Sequence, residues 1–173
     1  AEIMTVQKSV SPNVAGIGTP VSFALNTYVS EYYTVTNGLL VDVLPDGMSY
    51  VDGSAMLTPA AVAADQPRVG QTTITWTLPA TATMPGAAHN VSFQAVVDAT
   101  YAGAALAGQP VVSGDRLTNQ VTAAGEWQDA IDTSRLGTLT PDTAKATVST
   151  RLPAFDKKVR NPKTNQWAAA ADA

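Results

Sequence analysis

The chain has 173 residues, with 12 glycines, 11 prolines, no cysteine and a formal net charge of −4. That length suits one domain with a sizeable core; the lack of cysteine excludes disulfides and thiolate metal sites, and a mild negative charge without a Lys/Arg cluster argues against nucleic acid or an acidic membrane surface as partner. No apolar run reaches membrane-spanning length and Ala1 begins without the charged and apolar regions of a signal peptide, so any export signal or anchor is expected outside this fragment.

Thr, Ser, Val and Ala dominate, Glu and Lys are sparse, and Gly and Pro punctuate at short intervals, which is the profile of an all-β module. Met4 to Val10 alternates and puts Met4, Val6, Lys8 and Val10 on one face. After the turn at Ser11-Pro12-Asn13, Gly18-Thr19-Pro20 leads into a second alternation of Val21, Phe23 and Leu25. Tyr28 to Asn37 reads as a polar connection. Leu39-Leu40-Val41-Asp42-Val43-Leu44 is then a buried strand closed by the turn Pro45-Asp46-Gly47.

Asp52 to Gly70 has no sustained period and is expected to be a long surface loop. Thr73 to Leu78 gives the clearest alternation in the chain, with Ile74, Trp76 and Leu78 on one side. A turn at Met84-Pro85-Gly86 precedes His89 to Tyr101, where Val91, Phe93, Ala95 and Val97 share a face. Ala102 to Gly114 is a second small-residue loop, and in the strand that follows Leu117, Asn119 and Val121 point the same way. Gly125 to Thr140 reads as irregular, with Trp127 and Ile131 packing back, and Ala144 to Leu152 as the last strand. Short strands at this spacing predict an all-β, antiparallel immunoglobulin-like sandwich over residues 1–152, with a core of Val21, Phe23, Leu40, Leu44, Ile74, Trp76, Phe93, Leu117 and Val121. Residues 153–173 are expected to be a linker or the start of a following repeat, because Phe155-Asp156-Lys157-Lys158-Val159 echoes Val6-Gln7-Lys8-Ser9-Val10.

Three polar residues fall on faces that alternation assigns to the core: Lys8, Asp42 and Asn119. A lone buried Lys or Asp is rare. If the three meet, desolvation favours a neutral amine and a protonated acid beside a carboxamide, the chemistry of an isopeptide bond. The amine attacks the Asn119 carbonyl, the acid polarises it and shuttles protons, and ammonia leaves. The plainer alternative has Lys8 reaching solvent at a sheet edge, Asp42 capping the turn and Asn119 bonding to backbone.

Gly18-Thr19-Pro20-Val21-Ser22-Phe23, Val41-Asp42-Val43-Leu44-Pro45-Asp46-Gly47-Met48-Ser49-Tyr50 and Leu117-Thr118-Asn119-Gln120-Val121 resemble the isopeptide-forming repeat domains of Gram-positive fimbrial and adhesin-type surface proteins. The resemblance spans roughly the first 125 residues. In that family a Lys on the first strand bonds to an Asn on a late strand, assisted by an Asp or Glu between them. Carried over, it implies cross-link residues Lys8 and Asn119 with Asp42 as proton shuttle, in a structural stalk module of an extracellular protein, wall-attached or secreted. It further implies neighbouring repeats of the same polypeptide as partners, host or matrix ligands engaged through other domains, and neither membrane insertion nor a cofactor.

Other candidates are weaker. Asp98 is a rival acid on the opposite strand face. His89, the single histidine, stands beside a turn, where a surface role is a better reading than a Ser-His-Asp triad. Asp46, Asp52, Asp65, Asp129 and Asp132 match no EF-hand spacing and read as turn carboxylates. Trp76, Trp127 and Trp167 are candidates for a sugar platform, although Trp76 alternates as a core residue. The chief alternative function is a ligand- or glycan-binding module using the 52–70 and 102–114 loops. A turnover enzyme is not expected, since the bond forms once and consumes its own residues.

Overall fold

The computed structural model describes residues 2–152 and, beyond them, the backbone of two short strands, Lys158–Arg160 and Trp167–Ala169. In chain order the elements are β1 (Met4–Ser11), β2 (Val14–Ala15), β3 (Pro20–Val29), β4 (Tyr33–Leu44), β5 (Met48–Tyr50), β6 (Ala61–Ala64), β7 (Thr72–Thr77), α1 (Ala80–Thr83), β8 (Ala88–Val97), β9 (Arg116–Asp129), β10 (Leu136–Thr138), β11 (Asp142–Thr150), β12 (Lys158–Arg160) and β13 (Trp167–Ala169). One sheet has the order β1-β3-β8-β5, and the other the order β2-β11-β9-β4-β7-β6 with β10 added beside β9. Pairing between these strands is antiparallel except for the two residues of β2 against β11. The architecture is therefore the all-β immunoglobulin-like sandwich that alternation predicts.

Each sheet turns one residue in two toward the other, and the inward set makes the core. From the first sheet come Val21, Phe23, Leu25, Val91, Phe93 and Ala95, and from the second Leu40, Leu44, Ile74, Trp76, Leu117 and Val121, all buried. All nine core residues expected from the sequence are among the buried ones. Phe93 is the hub. Its ring stacks on Phe23 at 5.2 Å and lies 5.5 Å from Trp76 and 6.1 Å from Tyr50, distances at which aromatic pairs add roughly 0.5–1.5 kcal/mol to simple burial. Trp76 is also satisfied as a donor, since its Nε1 reaches the Leu57 carbonyl at 2.9 Å.

Four expectations need correcting. The connection after β3 is short: the strand continues to Val29 and β4 opens at Tyr33, because Val29 and Val35 are both buried and Tyr33 meets Trp127 edge to face at 5.5 Å. The 52–70 segment is not loop throughout, since β6 pairs with β7 along the sheet edge. Half of the 125–140 stretch is strand, as the end of β9 and as β10. Trp127 does pack against the core, but Ile131 projects into solvent with 91% of its surface exposed. The echo at 155–159 lies largely outside the described residues, apart from the backbone pairing of β12 with β13.

Candidate functional site

Lys8 belongs to the edge strand β1, whose register sets it opposite Leu25 of β3. Its backbone sits at the sheet margin, yet its side chain is wholly buried, because period two sends it inward between Val6 and Val10. A second tie keeps β1 against the opposite sheet, where the Val6 amide donates to Asp142 Oδ2 of β11 at 2.9 Å. The Lys8 amine lies 4.9 Å from the Phe23 ring centre and 5.5 Å from that of Phe93. Two aromatic faces thus exclude water while offering some compensation to a charged ammonium.

Asp42 reaches the same space from the other sheet. On β4 it stands between Leu40 and Leu44, flanked by Ile74 of β7 and Val121 of β9, and it has no exposed surface. Lys8 Nζ donates to Asp42 Oδ2 in a fully buried ion pair. Asn119 lies two residues before Val121 on the same face of β9 and so stands diagonally across from Asp42. It too has no exposed surface, and among the described residues neither its side-chain nitrogen nor its oxygen has a hydrogen-bond partner. Asp42 Oδ1 is equally unpartnered. Orphaned polar atoms of this kind cost about 1–3 kcal/mol each, so three in one space call for a chemical reason.

Burial acts on the two ionisable groups in opposite directions. It pulls the Lys8 amine below its ordinary range, against the attraction of Asp42. It pushes the Asp42 carboxyl up to about 6, against Lys8 and, to a lesser degree, the nearby Asn119 carboxamide, which makes no well-formed hydrogen bond to it. In water, moving a proton from a lysine ammonium to an aspartate is uphill by roughly 9 kcal/mol. Here both shifts narrow that gap, and the buried contact supplies the path along which the proton moves.

The remaining candidates stand elsewhere. Asp98 is on the outer side and accepts from Ser49 Oγ at 2.6 Å, with no contact to Lys8. His89 is more enclosed than its position beside a turn suggests: it pairs with Thr27 on the inner face, and its Nε2 is shielded from water. The turn carboxylates are engaged with backbone. Asp65 accepts from the Gly70 amide, Asp129 from those of Ile131 and Asp132, and Asp46 from those of Ala102 and Gly103. Asp52 stands exposed in its loop. Trp76 is core and Trp127 half-buried beneath Gly137, so they form no common platform, and the side chain of Trp167 lies outside the described residues. The sequence placed Phe23 and Phe93 in the core but gave no sign that they flank the Lys8 amine. Among the described residues no helix is long and apolar enough to cross a membrane.

With this geometry established, comparison adds the following. No protein-family model matches the chain, and no curated protein does. Among solved structures it superimposes on BcpA, the major pilin subunit of Bacillus cereus, with a TM-score of 0.53 and 13% identity over 85% of this chain and 40% of that one. The full-length major pilin SpaD from Corynebacterium diphtheriae gives a TM-score of 0.55 at 9% identity over 84% of this chain and 34% of that one. The likeness is one of fold. The chain spans well under half the length of either pilin.

Proposed function

We propose that this chain is a structural module of an extracellular fibre or stalk, stiffened by an intramolecular isopeptide bond between Lys8 Nζ and Asn119 Cγ. The observation that carries this reading is the burial, in one water-free space between the sheets, of an amine, an acid and a carboxamide without hydrogen-bond partners. Their fold-level likeness to pilin subunits fits a load-bearing role in chains of such modules, wall-attached or secreted.

The steps balance within the site. The ammonium of Lys8 gives a proton to Asp42, leaving a neutral amine and a neutral acid. The amine attacks Asn119 Cγ while Asp42 donates to the carboxamide oxygen, and the tetrahedral intermediate collapses with transfer of protons to the departing nitrogen. One N–C bond forms, one breaks, and ammonia leaves. Phe23 and Phe93 hold the amine and keep out water that would otherwise solvate it or compete for the carbonyl. The site is consumed in a single event, so the module has no turnover.

Intact-mass measurement tests this directly. The expected mass is that of the sequence less one ammonia, with a fragment joining the peptides that contain Lys8 and Asn119. A mass equal to that of the unmodified sequence would end the proposal.

A further inference from the structure

Lys8, Asp42 and Asn119 all precede β11 in the chain, yet β11 is the strand against which they are aligned. β1 pairs only with β3, and that pairing fixes Lys8 within its own sheet. It leaves open how β1 lies against the other sheet, where β4 carries Asp42 and β9 carries Asn119. Among the described residues, two hydrogen bonds cross from β1 to that sheet: the one Lys8 gives to Asp42, and the one the Val6 amide gives to Asp142 Oδ2 at 2.9 Å. The first belongs to the reacting groups themselves, so the second is the one that stands apart from the chemistry and holds the strand.

Its place sets a register. Beyond β1 the chain runs into β2, where Val14 pairs in parallel with Ser149 of β11. The Asn13 and Ala15 carbonyls accept there from the Ser149 and Arg151 amides, each at 2.9 Å. From Val6 to Val14 and from Asp142 to Ser149 the two segments therefore advance side by side, clamped at both ends, with Lys8 between the clamps. Two residues on from Val6, Lys8 comes level with Ala144, two residues on from Asp142. Ala144 pairs with Val121, and Val121 with Asp42, while Ala146, the next core-facing residue of β11, pairs with Asn119. The Val6 amide points away from β3, so its bond to Asp142 takes nothing from the β1–β3 ladder.

We propose that Asp142 is a positioning residue for the cross-link: through the Val6 amide it holds β1 along β11, and this brings the Lys8 amine within attacking distance of the Asn119 carboxamide. The inference rests on the isopeptide reading above and deepens it. Attack requires the reacting atoms at about 3–3.5 Å, and a displacement of about 1 Å costs on the order of a hundredfold in rate. An edge strand tied on one side only has that freedom; the Asp142 bond removes it. Asp142 exchanges no proton with the reacting groups. Its part is to make the reaction wait for β11, so that the cross-link closes on a completed sandwich.

The test follows ammonia loss by intact mass in chain isolated from inclusion bodies before it has ever folded, then folded under conditions where circular dichroism shows every variant native. Asp142→Ala should slow bond formation at least about tenfold. Asp142→Asn keeps an acceptor oxygen and should stay within about threefold of wild type. Val148→Ala opens the core beneath the same strand and leaves the tie in place, so it should melt lower and still bond at the wild-type rate. The pH profile of Asp142→Ala should be that of wild type scaled down, with its midpoints unmoved. If Asp142→Ala does not fold, Val6→Pro removes the same hydrogen bond from the donor's side, at a position outside the ladder, and is read by the same criteria. Asp142→Ala bonding as fast as wild type would overturn the proposal and leave the isopeptide reading standing. Asp142→Asn as slow as Asp142→Ala, Val148→Ala equally slow, or a displaced pH profile would overturn it too, by showing that charge, stability or proton transfer is what Asp142 supplies. A wild-type chain that loses no ammonia would end the isopeptide reading and this one with it.

Discussion

Lys8 and Asp42 belong to different sheets, and their side chains meet in the middle of the core with no surface left exposed. A buried ion pair is weak as a device for stability, because desolvating both charges offsets most of their attraction. Its value here is chemical. Setting Asn119 beside the pair turns that cost into a reactive state that ends when the bond forms.

Asn119→Ala is the cleanest variant, since it keeps the Lys8–Asp42 pair and removes only the acceptor. It should carry the full sequence mass and melt lower. Closing a loop of about 100 residues removes about 4.7 kcal/mol of denatured-state entropy, which corresponds to roughly 10–20 °C in Tm for a domain of this size. Lys8→Ala and Asp42→Ala should fall further, because each strands a buried charge at a cost of about 3–5 kcal/mol. Asp98→Ala should leave mass and Tm near those of wild type; recovery of the missing ammonia in that variant would move the acid role to Asp98.

Bond formation should slow in acid. The reactive pair holds one proton between amine and acid, and Asp42, with its carboxyl raised to about 6, takes up a second one as the pH falls through that value. Lys8 then has no base to receive its proton and stays an ammonium. The rate should therefore drop about tenfold per pH unit below about 6, and fall again at high pH once the pair has lost its shared proton. Chain isolated from inclusion bodies before it has ever folded, then folded at graded pH with the ammonia loss followed by mass, gives the profile. A rate flat from pH 4 to 8 would contradict it.

The half-buried Asp46 turn should be intolerant of added bulk from the loop beside it. Gly70 has φ +89°, and a Cβ added there would stand 2.5 Å from the Asp46 carboxylate that holds Ala102 and Gly103. Gly53 has φ +76° but nothing within 4 Å of a new Cβ. Gly53→Ala should cost only the left-handed backbone term, about 1–2 kcal/mol. Gly70→Ala should cost clearly more and loosen the 102–109 segment, seen as faster amide exchange there. Equal melting temperatures for the two variants would show that the carboxylate does not tie these loops together.

The strands that alternation revealed are those buried on one face only, and Lys8, Asp42 and Asn119 were legible for the same reason: each interrupts an apolar face in β1, β4 or β9. What escaped has physical causes. β4 carries an irregularity between Thr36 and Leu39, with Asn37 at φ +50°, so its inward residues change parity from Val35 to Leu40 and the period-two signal fails. The same irregularity, facing Gly125, hid the far half of β9. β6 is an exposed edge of Ala and Val with no buried face to create a pattern. The meeting of Lys8 with two aromatic rings depends on the packing of one sheet against the other, which spacing along a single strand does not encode.

Force transmission gives the last prediction. A load entering through β1 reaches Lys8 and, with the bond in place, crosses directly to Asn119 in the opposite sheet. Residues 9 to 118, which include β3, β4, β7, β8 and most of the aromatic core, then lie inside a closed covalent ring and cannot lengthen. Only chain after Asn119 is free to extend, at roughly 3.5 Å per residue. β11 is the strand exposed to this load, since it pairs antiparallel with β9 and touches β1 through Asp142, and its Val148 and Thr150 help cover the core. Pulling a single molecule by its ends should thus release a short step from the remainder of β9 through β11, with the ring intact. Asn119→Ala should release the full length from β1 onward at lower force. A wild-type trace with the full-length step would show that load does not pass through Lys8 and Asn119.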